Sequence, residues 1–351
     1  MNLNERIESF KKLGRILKQY PNSNDIEADY IFKDAARKTE IENPWFTQEQ
    51  ICKSLNSIGE SLQEQKIDTW LKPYLKRFES PMNPQTVGLV MAGNIPAVGF
   101  HDFLCVLISG NAILGKLSSL DGQLIPAISS FLIETDERWK DSISWTTERL
   151  TSFDSLIATG TNNSARYFEY YFRNRPHIIR KNRTGIAILT GNETIEELNG
   201  IADDIMSYFG LGCRNVSKIF VPGNYDFKRL LEAIKAYSHY SEHNKYRNNY
   251  EFRKSCLLLN KISFIDSGLL LLTQSTSIAS PVAVVNFEFY SRINDIQELV
   301  IKEMESIQCI VCNFDFPLPH ILPGKTQRPE LWEYSDAVDT MDFLLSNFSA
   351  R

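Results

Sequence analysis

The chain has 351 residues, 43% of them hydrophobic and 23% charged, with a formal net charge of −5. This balance supports a packed core and excludes wholesale disorder, and its acidic sign offers no basic footprint for a nucleic acid. At ~100–200 residues per domain the length predicts two domains, or three if one is small, and no apolar run reaches the ~18 residues of a membrane span.

The first eighty residues read as helical. Leu3 to Tyr20 carries apolar residues near helical spacing, Asn43-Pro44 breaks the pattern, and Trp45 to Phe78 resumes it, with Thr47 as a helix start. The character changes at Gln85: Thr86 to Ala92 is a short continuous apolar run, the mark of a strand buried on both faces. A turn, Gly93-Asn94-Ile95-Pro96, leads to a helix from Val98 to Ser109 that stops at Gly110-Asn111, and Ala112 to Leu117 is a second buried strand. Strand, helix, strand is a βαβ unit and implies a parallel sheet. The alternation continues through a helix over Leu124 to Thr135, a strand at Ser155 to Ala158, a helix over Asn162 to Phe172 and a strand at Gly185 to Leu189. A helix over Glu193 to Gly210, a strand at Ser217 to Val221 and a helix over Phe227 to Ser238 follow. His239 to Arg253 reads as an exposed connection or helix, and Cys256 to Asn260 with Gly268 to Leu272 as paired strands. A strand at Ala283 to Phe289, a helix over Ile296 to Met304 and a strand at Gln308 to Cys312 precede a loop with Pro317, Pro319 and Pro323. The predicted fold class is α/β, doubly wound.

The six cysteines are scattered and the first 30 residues hold no apolar signal core, which predicts free thiols in a reducing, cytoplasmic setting. Cys309 and Cys312 form a C-x-x-C without a second pair, inside a strand-like run, and read as core. His239 and His243 have helical i, i+4 spacing, but Tyr240 stands where H-E-x-x-H needs Glu, so no metal is expected. The basic stretch Arg173 to Arg183 and the pair Asp203-Asp204 read as solvated faces; for the basic stretch, attraction of an anionic ligand is the alternative.

Four segments carry candidate chemistry. Asn94 lies in the turn after the first strand, where open α/β sheets place ligands. Lys116, Ser118 and Ser119 leave the next strand and can hydrogen-bond a ribose or phosphate. Thr159, Gly160 and Thr161 end a strand and open a helix, whose first amides suit a phosphate. In Gly210-Leu211-Gly212-Cys213-Arg214, glycines flank a turn that leaves a sulfur accessible, with backbone amides near it for an oxyanion. Taken singly, each has an ordinary explanation: a common turn, a polar surface, a helix cap, a small buried thiol.

Together the four resemble the aldehyde dehydrogenase superfamily in order, element and residue type. Asn94 matches its catalytic Asn, Lys116-Leu117-Ser118-Ser119 its Lys-Pro-Ser-Glu, Thr159-Gly160-Thr161 its Thr-Gly-Ser, and Gly210-Leu211-Gly212-Cys213 its Gly-Gln-x-Cys. Within the superfamily, Gly210 to Lys218 and Gln327-Arg328-Pro329-Glu330-Leu331-Trp332-Glu333-Tyr334-Ser335-Asp336 look like LuxC-type fatty-acyl-CoA reductases. The resemblance spans residues 80 to 345. It implies catalytic roles for Cys213 and Asn94, cofactor contacts from Lys116, Ser118, Ser119, Thr159, Gly160 and Thr161, a site in the cleft between two domains, and a homo-oligomer.

Three departures refine this. Hydrolytic relatives carry a water-activating Glu where Arg180 to Gly185 stands here without a carboxylate, which fits exchange of the acyl group with a thiol. Ser277 to Val282 replaces the segment whose Glu holds the nicotinamide ribose. Ser119 replaces a Glu that binds the adenosine ribose; without a carboxylate there, and with Lys116 nearby, a 2′-phosphate is tolerated and NADPH is expected over NADH. The predicted organisation is a helical segment (1–80), a dinucleotide-binding domain (81–205), a catalytic cysteine domain (206–320) and a C-terminal segment packing back on the body (321–351). The expected activity is NADPH-dependent reduction of an acyl-CoA or acyl-carrier thioester to the aldehyde through Cys213, with an acyl-transferring partner protein possible. A non-catalytic scaffold of this fold, or a cysteine acyltransferase or thioesterase without hydride transfer, are the alternatives.

Overall fold

The structure, a computed structural model, describes residues 1–22, 25–79 and 83–346. They form two compact units, 1–181 with the returning tail from Glu330, and 182–329.

Unit 1 opens with helices α1 (Leu3–Lys18), α2 (Ile26–Glu42), α3 (Gln48–Ser61), α4 (Glu64–Leu71) and α5 (Leu75–Phe78). An Asn2–Glu5 capping box starts α1, and the Thr47 hydroxyl accepts from Gln50 N to start α3. The alternating part runs β1 (Thr86–Val90), α6 (Phe100–Ser109), β2 (Ala112–Lys116), α7 (Leu124–Thr135), β3 (Ile143–Trp145), β4 (Ser155–Thr159), α8 (Asn162–Phe172) and β5 (His177–Arg180). The sheet is parallel, in the order β3-β2-β1-β4-β5. Successive side chains of β4 part to opposite faces. Ile157 joins the core that holds α1, α6 and α7, while Leu156 and Ala158 meet Phe168 and Phe172 of α8. The crossovers α6 and α8 therefore cover opposite faces, and the order in which strands are added reverses between β1 and β4.

Unit 2 contains β6 (Thr184–Ile188), α9 (Ile195–Met206), β7 (Val216–Pro222), α10 (Phe227–Ile234), α11 (Asn244–Leu259), β8 (Phe264–Asp266), β9 (Leu271–Gln274), β10 (Val284–Tyr290), α12 (Ile293–Lys302) and β11 (Ile307–Val311). Its sheet order is β11-β6-β7-β10-β9-β8, parallel except for β8. Ile186, Ile188 and Phe220 pack with Ile296 and Val300 of α12. The tail returns to unit 1 with α13 (Thr340–Leu345), which packs on α6.

The α/β, doubly wound expectation holds, with two sheets and a helical start. Its details differ in places. The contact division falls between Lys181 and Asn182 instead of at 205/206, because β6 pairs within the second sheet and carries α9 with it. The expected 80/81 boundary and residues 347–351 of the tail lie outside the described residues. Cys256 to Asn260 is not a strand; it ends α11, whose inner face buries Tyr246 and Tyr250, and the antiparallel partner of β9 is β8. Among the described residues no helix is long and apolar enough to cross a membrane.

The basic stretch is not simply a solvated face. Arg180 is buried at the end of β5, where its guanidinium grips both carboxylate oxygens of Asp102 on α6 at 2.7 and 3.2 Å. It also donates to Ser335 O and Thr340 Oγ1 at 2.7 and 2.8 Å, tying the tail to the sheet. Arg180→Ala would leave Asp102 charged and buried, so urea unfolding should show a loss of about 3–5 kcal/mol. A loss below about 1 kcal/mol, as for an exposed pair, would contradict this role.

Candidate active site

The site residues read from the first half of the sequence converge on one edge of unit 1. Val90, Lys116 and Ala158 stand in register at the carboxyl ends of β1, β2 and β4, so the turns that follow lie side by side. Asn94, Lys116, Ser118, Ser119, Thr159, Gly160 and Thr161 all belong to this edge, and the β1–β4 reversal is where open sheets accept ligands.

Buried polar groups hold these turns. Asp121, 5% exposed, accepts from Ala97 N at 2.7 Å and fixes the Asn94 turn, in which Ala97 adopts φ 53°. Burial pushes the Asp121 carboxyl up to about 6. Ser54 on α3 donates to Pro96 O at 2.6 Å from the other side. A side chain at Gly93 would meet Ser118 Oγ at 2.5 Å, so only glycine lets the β1 and β2 turns approach this closely. Asn94 itself is half-buried, Ser119 exposed, and Lys116 Nζ donates to Glu148 O at 3.1 Å. Thr161 caps α8 by accepting from Ser164 N at 3.2 Å. A close-packed glycine turn, hydroxyls, an ammonium and first-turn amides at a sheet reversal fit a phosphorylated nucleotide.

Cys213 lies in unit 2, half-buried, in the turn between α9 and β7. The helix expected to reach Gly210 stops at Met206. Tyr208, Phe209 and Gly210 then take φ of 51°, 57° and 75°, three left-handed residues in succession. Such conformations cost of order 1–3 kcal/mol at a non-glycine residue and persist only where the surroundings impose them. The Phe209 ring is boxed by Tyr240, His243 and Tyr246 at centroid distances of 4.2, 4.6 and 5.7 Å.

Past the cysteine, buried Asn215 ties the turn together. Its Oδ1 accepts from Gly212 N at 2.8 Å, while Nδ2 donates to the carbonyls of Asp204, Ile205 and Ser207 at 2.9, 3.3 and 2.9 Å. These are carbonyls that the end of α9 would otherwise leave unpaired. The segment 324–326 holds the same turn from outside: Asp204 accepts from Gly324 N, Thr326 N and Thr326 Oγ1 at 2.8, 3.1 and 2.8 Å, and Arg214 Nε donates to Thr326 O at 2.8 Å. Gly200 permits the approach, since a Cβ there would lie 2.8 Å from Gly324 N. Asp204 is thus fully buried, contrary to the solvated face expected of Asp203-Asp204; Asp203 accepts from Tyr237 OH at 2.5 Å.

Lys218 on β7 is buried, paired with Glu288 at 2.7 Å and hydrogen-bonded to Ser275 O. Burial lowers its amine's pKa while Glu288 opposes the shift. Asn286 donates to Ser277 O and Ala279 O at 2.9 and 3.0 Å, so Lys218 and Asn286 together pin the segment 275–279. Sequence reasoning missed Asn215, Asp121 and Thr326. A Gly-x-Gly-Cys turn signals that something must hold it, but the groups that do so are far apart in sequence. Cys309 and Cys312 are free thiols at β11, and burial pushes the latter up to about 11.

A family profile described as acyl-CoA reductase (LuxC) matches residues 11–240. No curated protein gives a match. Among solved structures, P. syringae AldA, an indole-3-acetaldehyde dehydrogenase solved with NAD+, is similar at 10% identity and TM-score 0.61, over 89% of this chain and 72% of that one. An NAD+ complex of aldehyde dehydrogenase from Bacillus cereus gives 12%, 0.58, 89% and 72%. The aldehyde dehydrogenase KauB from Pseudomonas aeruginosa gives 11%, 0.56, 89% and 77%. At these identities the likeness concerns the fold alone.

Burial raises the folded-state pKa of Asp204 to about 6, above the ordinary ~3.9. Its contribution to stability is therefore complete below about pH 4 and is lost as pH rises to about 6. Asp204→Asn should remove its share of the decline in thermal midpoint across that window, leaving the share due to Asp121. An unchanged slope would contradict the assignment.

Proposed function

The chain belongs to the acyl-CoA reductase (LuxC) family, and from that premise we propose that it reduces an acyl thioester to the aldehyde, with Cys213 carrying the acyl group and NADPH as reductant. The observation that carries this reading is the turn around Cys213: a half-buried cysteine just past a left-handed run, with its neighbours Gly212 and Arg214 fixed by Asn215 and Thr326. Such fixation is expected where a nucleophile must meet a carbonyl carbon in one orientation.

In the proposed sequence, the Cys213 thiolate attacks the thioester carbonyl, with the Asn94 side chain and the Cys213 amide as oxyanion donors. The C–S bond to CoA, or to a carrier thiol, breaks and the thiolate leaves, so the acyl group is now a thioester of Cys213. Lys116, Ser118, Ser119, Thr159, Gly160 and Thr161 would hold a nicotinamide nucleotide, which would supply the hydride to the acyl carbon. The resulting hemithioacetal at Cys213 collapses: its C–S bond breaks, the aldehyde departs and the sulfur keeps the electron pair. The segment Arg180 to Gly185 offers no carboxylate to activate water, which favours reduction over hydrolysis of the acyl group. Two of the similar dehydrogenases were solved with NAD+, which supports a nicotinamide cofactor. Six free thiols suit a reducing cytoplasm.

Cys213→Ala should abolish aldehyde formation while leaving calorimetric NADPH binding intact, and Asn94→Ala should lower kcat on the order of 10²–10³. An unchanged rate in either variant removes that residue from the reaction; thioester cleavage without aldehyde in the unaltered chain would indicate an acyltransferase or thioesterase. For the cofactor, kcat/KM should favour NADPH, since Ser119 puts no carboxylate against a 2′-phosphate. A tenfold preference for NADH would contradict this.

A further inference from the structure

An apolar knuckle in unit 2 takes no part in the chemistry above. Four exposed large apolar side chains fall between residues 252 and 262: Phe252 (58% exposed), Leu258 (59%), Leu259 (83%) and Ile262 (46%). On α11, Tyr246 and Tyr250 face inward, while Phe252 and Leu259, two helical turns apart, share an outward stripe. The helix ends in a left-handed turn at Lys261 (φ 54°), whose N–H donates to Leu258 O at 3.1 Å, and Ile262 N donates to Leu257 O at 3.0 Å. This closure folds Ile262 back beside the last leucines. Soluble surfaces ordinarily avoid such a concentration of aliphatic side chains.

Charge indicates what covers it. Residues 244–262 contain Lys245, Arg247, Arg253, Lys254 and Lys261 against the single acid Glu251, in a chain whose net charge is −5. Lys254 is engaged by Asp266 at 2.8 Å, and the Arg253 guanidinium stands 5.3 Å from the centroid of the Phe252 ring, so cation and apolar surface adjoin. Protein–protein interfaces are depleted in Lys and built around aromatic anchors. Leucine and isoleucine at the end of a helix that carries several long basic side chains are instead the composition of an element that lies on a membrane.

We propose that this knuckle docks the protein on an anionic phospholipid surface. Leu258, Leu259, Ile262 and Phe252 enter the boundary between headgroups and acyl chains, and Lys245, Arg247, Arg253 and Lys261 meet lipid phosphates. The proposal is independent of the role of Cys213. Its test is co-sedimentation of the full chain with vesicles of phosphatidylcholine plus phosphatidylglycerol, against phosphatidylcholine alone. Binding should require the anionic lipid, weaken with added salt, and fall on the order of tenfold in the Leu258→Ser, Leu259→Ser double variant. A separate Lys261→Glu variant should also weaken it. Both variants alter exposed side chains, so their thermal midpoints should match that of the unaltered chain. Absence of binding to anionic vesicles, or equal binding by the double variant, overturns the proposal. So does an oligomer in velocity sedimentation that the double variant converts to monomer without either form binding vesicles, which would make the knuckle a contact between copies.

Discussion

The carboxamide of Asn215 is the interaction on which the Cys213 turn depends. One side chain satisfies three carbonyls at the end of α9 and the amide of Gly212. Without it those groups would be buried and unpaired, at about 1–3 kcal/mol each. The left-handed run at Tyr208, Phe209 and Gly210 is sustained in the same way, by the aromatic box around Phe209 on one side and Asn215 on the other. The sulfur's position is therefore set by backbone that has little freedom to relax.

The carboxyl-edge turns of unit 1 follow the same logic. Asp121 holds the Asn94 turn much as Asp204 holds 324–326: a buried carboxylate accepts backbone amides and bears the desolvation that raises its pKa. Arg180 and Asp102 do the corresponding work for the tail, with charge on both sides. In each case a polar group inside the fold fixes a segment remote in sequence, and in the first of them the candidate residue Asn94 stands on the segment so fixed.

This explains what could be read from the sequence. Runs such as Thr86 to Ala92 and Ala112 to Leu117 are legible because a strand covered on both faces must be continuously apolar, and α8 because its apolar period and its Thr161 cap agree. β3 and β5 are short, and the latter holds His177 and Arg180, so neither shows that pattern. The leucines before Asn260 suggested a strand, but local pattern could not distinguish that from a helix end whose inner face is formed by tyrosines. The candidate residues Asn94, Lys116, Thr161 and Cys213 could be found because turns at strand ends carry recognisable residue types. The groups that hold those turns could not, since Asp102 is paired with Arg180, and Asp204 with Thr326, only through tertiary folding.

The central claim is that Cys213 bears the acyl group during turnover. Intact-mass measurement of the protein mixed with a series of acyl-CoAs tests it most directly. The account predicts a gain of one acyl group, mapped to Cys213 by peptide fragmentation and discharged as aldehyde on adding NADPH. An adduct on another residue, no adduct with any chain length, or an adduct that NADPH leaves in place would contradict it.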